Sequence, residues 1–158
     1  MLKPDGKMCQ EYAGNADVRL QAMIRYEELY NNASATSQQV AIFFNDNYDP
    51  AYQSASMSEN DPSTRKTFTR DTLPAVFKTA HDKRYRIGPM WILQVAPTWI
   101  EYTYAWFNTG SSTPSLYFHC VAEFNEKGQY KGMKNTYRTK EPYKYCLLAK
   151  YQEKQPKQ

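Results

Sequence analysis

The stretch from Tyr85 to Arg138 constrains the fold most, because it holds four segments of strand-like composition joined by short polar connections. The segments are Tyr85–Val95, Trp99–Phe107, Ser115–Phe124 and Gln129–Arg138. The first three are rich in aromatic and β-branched residues, which suit a pleated and half-buried surface. Before the last segment, Asn125–Gly128 has the composition of a type I turn followed by a left-handed glycine. Consecutive strands with short connections predict an antiparallel meander.

The chain before Tyr85 predicts three helices. Apolar residues recur at helical spacing after Asn15, which is a suitable N-cap. Thr36 and Gln39 form a capping box that opens a second helix. A third helix starts near Asp71 and tolerates Pro74, because no intrahelical N–H is lost in a first turn.

Between the second and third helices the pattern is weaker. Ala51–Met57 alternates and predicts a short first strand, whereas Ser58–Lys66 is polar, contains a proline and predicts a loop.

Length and composition indicate one folded domain. The chain has 158 residues, of which 41% are hydrophobic and 15% aromatic, too many aromatics for a disordered protein. We expect a flexible arm over residues 1–14, one domain over 15–138 and a basic, tyrosine-containing tail over 139–158. The net charge of +4 is too small to predict a nucleic-acid partner, and no run is long enough to span a membrane.

The cysteines favour a reducing compartment. Cys9, Cys120 and Cys146 are odd in number and far apart, so we predict three free thiols and a cytoplasmic location. The N-terminal residues have no apolar core, and so predict no secretory signal.

The order of elements resembles a known superfamily. Helix, helix, short strand, helix and four long strands over residues 15–138 is similar to the nuclear-transport-factor-2-like or SnoaL-like family, also called the cystatin-like cone. The resemblance implies an α+β fold in which a curved antiparallel sheet forms a cone, with three helices packed over its concave face. It also implies a deep pocket. Many members are small enzymes without a cofactor, and others only bind proteins or ligands.

Two titratable residues in apolar strands are candidates for catalysis. Glu101 lies in the aromatic strand, where a carboxylate among rings can have a raised pKa. His119 lies in the next strand, and imidazole titrates near neutrality. Each could equally be a surface residue, depending on which side of the sheet it occupies. The two strands are expected to be neighbours, so the two side chains could face each other.

Other residues are candidates for holding a substrate, because aromatic side chains supply apolar area with a polar tip. The aromatic candidates are Tyr30, Tyr52, Tyr85, Trp91 and Trp106, and Asp46 is a further candidate that could orient a substrate oxygen. The core is an alternative place for each ring. No spacing of His and Cys predicts a metal site.

We therefore predict a small cofactor-independent enzyme that moves a proton on a hydrophobic, oxygenated metabolite such as a polyketide or terpenoid. The reaction would be an isomerisation, cyclisation or dehydration in secondary metabolism. The alternative is a non-catalytic module of the same fold that binds a ligand or a protein. Large aromatics on both sides of Trp99–Phe107 also predict a homodimer through the outer face of the sheet.

Overall fold

The computed structural model describes residues 17–142 and 146–147. Within them lie three helices: α1 (Val18–Asn31), α2 (Ser37–Asn47) and α3 (Leu73–Lys83). The same residues form seven strands, namely β1 (Tyr48–Ser58), β2 (Asp61–Thr69), β3 (Arg86–Val95), β4 (Trp99–Phe107), β5 (Leu116–Phe124), β6 (Tyr130–Arg138) and β7 (Cys146–Leu147). No helix in this part of the chain is long and apolar enough to cross a membrane.

All the described strands belong to one curved sheet with the order β2-β1-β6-β5-β4-β3-β7. The predicted meander is present, since β3 to β6 pair in sequence as antiparallel neighbours. The sheet as a whole is mixed, because β1 pairs with β6 in parallel. The helices pack over the concave face, so the predicted α+β cone is confirmed.

The prediction of a loop over Ser58–Lys66 is wrong. Residues Asp61–Thr69 form strand β2, which pairs with β1 at the edge of the sheet. Pro62 misled the interpretation of the sequence, because proline is rare in central strands. At the start of an edge strand its missing N–H breaks no ladder bond.

The sheet also extends beyond the predicted domain end. Cys146–Leu147, within the segment expected to be a tail, pairs with Trp91 and Ile92 of β3. Cys146 is disulfide-bonded and Cys120 is a buried free thiol, so the prediction of three free thiols is wrong. Cysteine usage therefore gives no support to a reducing compartment. Cys9 and the arm over residues 1–14 lie outside the described residues.

Local signals in the sequence explain where the helices begin. The Thr36 hydroxyl accepts from the Gln39 N–H at 3.1 Å and the Gln39 side chain accepts from the Thr36 N–H at 2.8 Å, which is the predicted capping box. Pro74 lies in the first turn of α3, as predicted. Helix α1 is capped by Asp17, whose carboxylate accepts from the Arg19 N–H at 2.9 Å. Asn15 lies outside the described residues.

Aromatic rings join the helical layer together. Phe77 of α3 is 0% exposed and meets the rings of Tyr26, Tyr30 and Phe44 edge-on, with centroids 5.0, 5.2 and 5.0 Å away. This cluster fixes α1, α2 and α3 relative to each other. It therefore also sets the position of the tyrosines that α1 directs toward the sheet.

Candidate functional site

A cavity of about 350 Å³ lies between the concave face of the sheet and helices α1 and α3. Its walls are made of tyrosines, other aromatic and apolar side chains, and a smaller group of polar residues from β1, β2 and β6. The lining residues are Tyr26, Tyr30, Tyr48, Tyr52, Ser54, Ala55, Ser56, Thr64, Lys66, Phe68, Leu73, Val76, Ile87, Tyr102, Tyr104, Trp106, Leu116, Phe118, Met133, Asn135 and Tyr137. The volume is at the small end of the range for ligand pockets.

The alternation of side chains along β4 decides which residues face this cavity. Tyr102, Tyr104 and Trp106 line it, each two residues from the next. The residues between them point to the other face of the sheet, as the period of a strand requires. Tyr104 stacks on Phe118 of β5 with ring centroids 5.1 Å apart, so one wall of the cavity is a continuous aromatic surface.

Tyr30 is the polar group of α1 with the most defined geometry in the cavity. Its hydroxyl oxygen accepts a hydrogen bond from Trp106 Nε1 at 3.1 Å. A phenol that accepts through its oxygen still has its own O–H to donate. Burial raises the pKa of Tyr30, although the hydrogen bond from Trp106 acts in the opposite direction. Tyr30 is therefore a neutral proton donor at physiological pH.

Three other phenols of the cavity are neutral for the same reason. Burial raises the pKa of Tyr52, Tyr102 and Tyr104 above the ordinary value of a phenol. Their rings are nearly inaccessible to bulk solvent. The cavity can thus offer hydrogen bonds from hydroxyl groups to an oxygenated ligand without carrying negative charge itself.

Glu101 and His119 lie together, but on the outer face of the sheet. Glu101 Oε2 and His119 Nε2 are 2.7 Å apart, and both side chains are partly exposed. His119 pairs across the strands with Thr103, which alternates with the cavity-lining tyrosines of β4. Neither residue lines the cavity, because the sheet itself separates them from it. The expectation that they face each other is confirmed, and a catalytic role inside the cone does not follow from their placement.

The structure separates the residues predicted to hold a substrate into three groups. Tyr30, Tyr52 and Trp106 line the cavity. Tyr85 packs its ring edge-on against Trp106 with centroids 4.7 Å apart, and its phenol contributes to raising the pKa of Tyr30. The other two lie elsewhere: Trp91 pairs with Thr103 on the outer face, and Asp46 is exposed near the end of α2.

The polar part of the cavity contains residues that the sequence did not reveal. Ser56 of β1 donates from Oγ to Asn135 Oδ1 of β6 at 3.1 Å. Lys66 of β2 pairs with Ser56 on its other side. Lys66 was missed because its segment was predicted to be a loop. The described residues hold no group of three or more His, Cys, Asp or Glu side chains that could bind a metal ion.

Comparison with solved structures reveals the same architecture in other proteins. A proposed isomerase of the SnoaL-like family from Agrobacterium tumefaciens superposes with a TM-score of 0.55 at 9% identity, covering 76% of this chain and 97% of that one. A SnoaL-like protein of unknown function from Burkholderia thailandensis superposes with a TM-score of 0.52 at 12% identity, covering 78% of this chain and 97% of that one. The chain has the SnoaL-like, NTF2-like fold.

A third neighbour with this fold is SalBIII, an epoxide hydrolase/cyclase-like enzyme with a role in pyran ring formation in the polyether salinomycin. It superposes with a TM-score of 0.50 at 10% identity, covering 76% of this chain and 90% of that one. No protein-family model and no curated protein sequence matches the chain. At these identities the likeness establishes the SnoaL-like fold and leaves the chemistry to be argued from the cavity.

Proposed function

We propose that the protein is a small cofactor-independent enzyme that binds a hydrophobic, oxygenated metabolite, such as a polyketide or terpenoid, inside the cone. The observation that supports this most is the Tyr30 phenol. It is buried in an aromatic cavity of about 350 Å³, oriented by Trp106 and able to donate its proton to a ligand oxygen. A positioned proton donor in a site that excludes bulk water is what general acid catalysis needs.

Among isomerisation, dehydration and cyclisation, the lining favours cyclisation. A carbon-bound proton must be taken by a base, and the described lining residues include no carboxylate and no imidazole. An intramolecular ring closure takes no proton from carbon, because a hydroxyl of the substrate is the nucleophile. Tyr30 would give its proton to the leaving oxygen as the new C–O bond forms. The attacking hydroxyl would return its own proton to the phenolate, so atoms and charge balance without a cofactor.

The reaction described for SalBIII is of this class, since an epoxide hydrolase/cyclase-like enzyme acts there in formation of a pyran ring. The likeness to this chain is one of fold, and the phenol cluster is the independent support. The substrate we propose is therefore a hydrophobic molecule that carries a hydroxyl and an electrophilic carbon bearing a leaving oxygen.

The function is tested with a hydroxy-epoxide probe, trans-5-phenyl-4,5-epoxypentan-1-ol, which can close to a five- or six-membered cyclic ether. We expect the protein to accelerate closure above the buffer rate and, from the racemic probe at partial conversion, to yield one enantiomer in excess, because the chiral cavity closes one epoxide enantiomer faster than the other. Chiral chromatography of the products measures both. Closure at the buffer rate to a racemic product, with the probe bound, would contradict the enzyme proposal.

That outcome would instead favour the second candidate, a non-catalytic binding protein for the same class of ligand. The absence of a carboxylate or an imidazole from the described cavity lining is the observation in its favour. Binding is measured separately by quenching of tryptophan fluorescence, since Trp106 lines the cavity. Binding without turnover supports this candidate, and no binding contradicts both.

We also propose a homodimer through the outer face of β4 and β5. Trp99, Tyr117 and Val121 are half-buried there around the Glu101–His119 pair. Aromatic side chains are enriched in interface cores, and the pairing of Glu101 with His119 offsets one of the two carboxylates on this face. Light scattering at micromolar concentration should give the mass of two chains, falling to one in Val121→Arg. The control Ile42→Arg, on exposed α2, should remain dimeric; a monomeric parent protein would contradict this assembly.

A further inference from the structure

Three polar side chains lie side by side across the mouth of the cavity. In the register of the sheet, Ser56 of β1 is opposite Lys66 of β2 on one side and opposite Asn135 of β6 on the other. All three line the cavity. Neighbouring strands are about 4.8 Å apart, so one small ligand group between the outer two residues is within reach of both.

The alternation of β2 shows that Lys66 belongs to the cavity side of its strand. Thr64, Lys66 and Phe68 line the cavity. Arg65, Thr67 and Thr69 line a groove on the opposite face of the sheet. Lys66 is exposed, which puts its ammonium at the rim rather than in the aromatic interior. It is the one charged residue among the described lining residues.

Lys66 and Asn135 both have unused donors. No ion pair among the described residues involves Lys66, and no hydrogen bond among them uses its ammonium. Asn135 Oδ1 accepts from Ser56 at 3.1 Å, which fixes the amide with its NH₂ group left to donate. Within the described part of the chain, that NH₂ group has no protein acceptor. This polar row of Lys66, Ser56 and Asn135 thus presents a cation and an oriented amide donor, and no acidic side chain.

We propose that the ligand of this cavity is a hydrophobic carboxylic acid, whose carboxylate is held between Lys66 and Asn135 while its ring body lies against Phe118 and Trp106. The inference rests on the proposed function, because it assigns one end of the molecule that the cavity binds. One lysine and one amide match the single charge of a carboxylate. A phosphate dianion is generally met by more positive charge or by an arginine fork.

The experiment compares two probes of nearly equal size, 2-naphthoate and 2-naphthylmethanol, by isothermal titration calorimetry at neutral pH. We expect the parent protein to bind naphthoate about tenfold more tightly, as a charge-assisted hydrogen bond provides. Lys66→Met should remove this preference and leave the Kd of the alcohol unchanged. Asn135→Leu should reduce the preference in the same direction. Lys134→Met is the matched control, because Lys134 is the neighbour of Asn135 on the opposite face of β6 and lines the outer groove.

The outcomes separate this inference from the function on which it rests. If the parent protein binds both probes equally, or if Lys134→Met loses the preference as much as Lys66→Met, the carboxylate site is overturned and cavity binding stands. If neither probe binds, cavity binding itself is overturned. Loss of preference in Lys66→Met and Asn135→Leu, with the control unchanged, supports the site.

Discussion

Replacing Tyr30 by phenylalanine is expected to slow closure of the hydroxy-epoxide probe by about 10²–10⁴-fold, the usual effect of removing a positioned general acid. The substitution removes one oxygen and keeps the ring, so the contact with Phe77 at 5.2 Å remains. The Kd of the probe should change little, because the lost hydrogen bond forms mainly to the oxygen on which charge develops. The rate is measured under single-turnover conditions, and the Kd by fluorescence quenching.

Two matched variants separate proton donation from a change in the shape of the cavity. Trp106→Phe removes the N–H that orients Tyr30 but keeps the phenol, so its rate should lie between those of the parent and Tyr30→Phe. Tyr117→Phe removes a hydroxyl from the outer face of β5, where Tyr117 pairs with Ala105 and does not line the cavity, and should leave the rate unchanged. Equal rates for the parent and Tyr30→Phe would reject Tyr30 as the acid.

Glu101 and His119 provide a further control, since the sequence alone favoured them as catalysts. Their pair lies on the outer face of the sheet. Glu101→Gln and His119→Ala should therefore close the probe at the parent rate. A loss as large as that of Tyr30→Phe would return the acid–base role to this pair and reject the cavity as the site of reaction.

The strands of the meander were predictable from sequence, but the face that each residue occupies was not. Strand β4 has aromatic rings at both parities, with Trp99 and Phe107 on one side and Tyr102 and Tyr104 on the other. Periodicity then identifies a strand without saying which side is buried. The side of β4 that becomes buried is decided by the helices, which cover Tyr102 and Tyr104. The helices are distant from β4 in sequence, so the pattern of β4 alone does not contain this information.

The polar row at the mouth could not be derived from sequence for a different reason. Lys66 and Asn135 lie 69 positions apart along the chain and meet through Ser56, because β1 pairs with β2 on one side and in parallel with β6 on the other. A parallel pairing between distant strands has no local signature. Local features, in contrast, were readable: the capping box of α2 and the left-handed Gly128 after Asn125 are set by neighbouring residues.

Replacing Phe77 by alanine is expected to lower the free energy of unfolding by about 3–5 kcal/mol, as a buried Phe→Ala change usually does. Phe77 is 0% exposed and contacts rings from both other helices, so truncation leaves a hole where the three helices meet. The edge-on pairs with Tyr26 and Phe44 are lost as well as the buried area. Urea unfolding followed by circular dichroism measures the loss.

The same substitution also tests whether the ring cluster positions the catalytic phenol. Phe77 packs against Tyr30, so its removal should weaken binding of the hydroxy-epoxide probe even where the protein remains folded. Phe77→Leu keeps most of the side-chain volume, so it should lower the free energy of unfolding and the affinity for the probe by less than Phe77→Ala does. Ile42→Ala, at a residue 51% exposed on α2, is the surface control and should change the free energy of unfolding by no more than about 0.5 kcal/mol. If Phe77→Ala is as mild as this control, the cluster is not what holds the helices over the sheet, and the position of Tyr30 must be set by its bond to Trp106 instead.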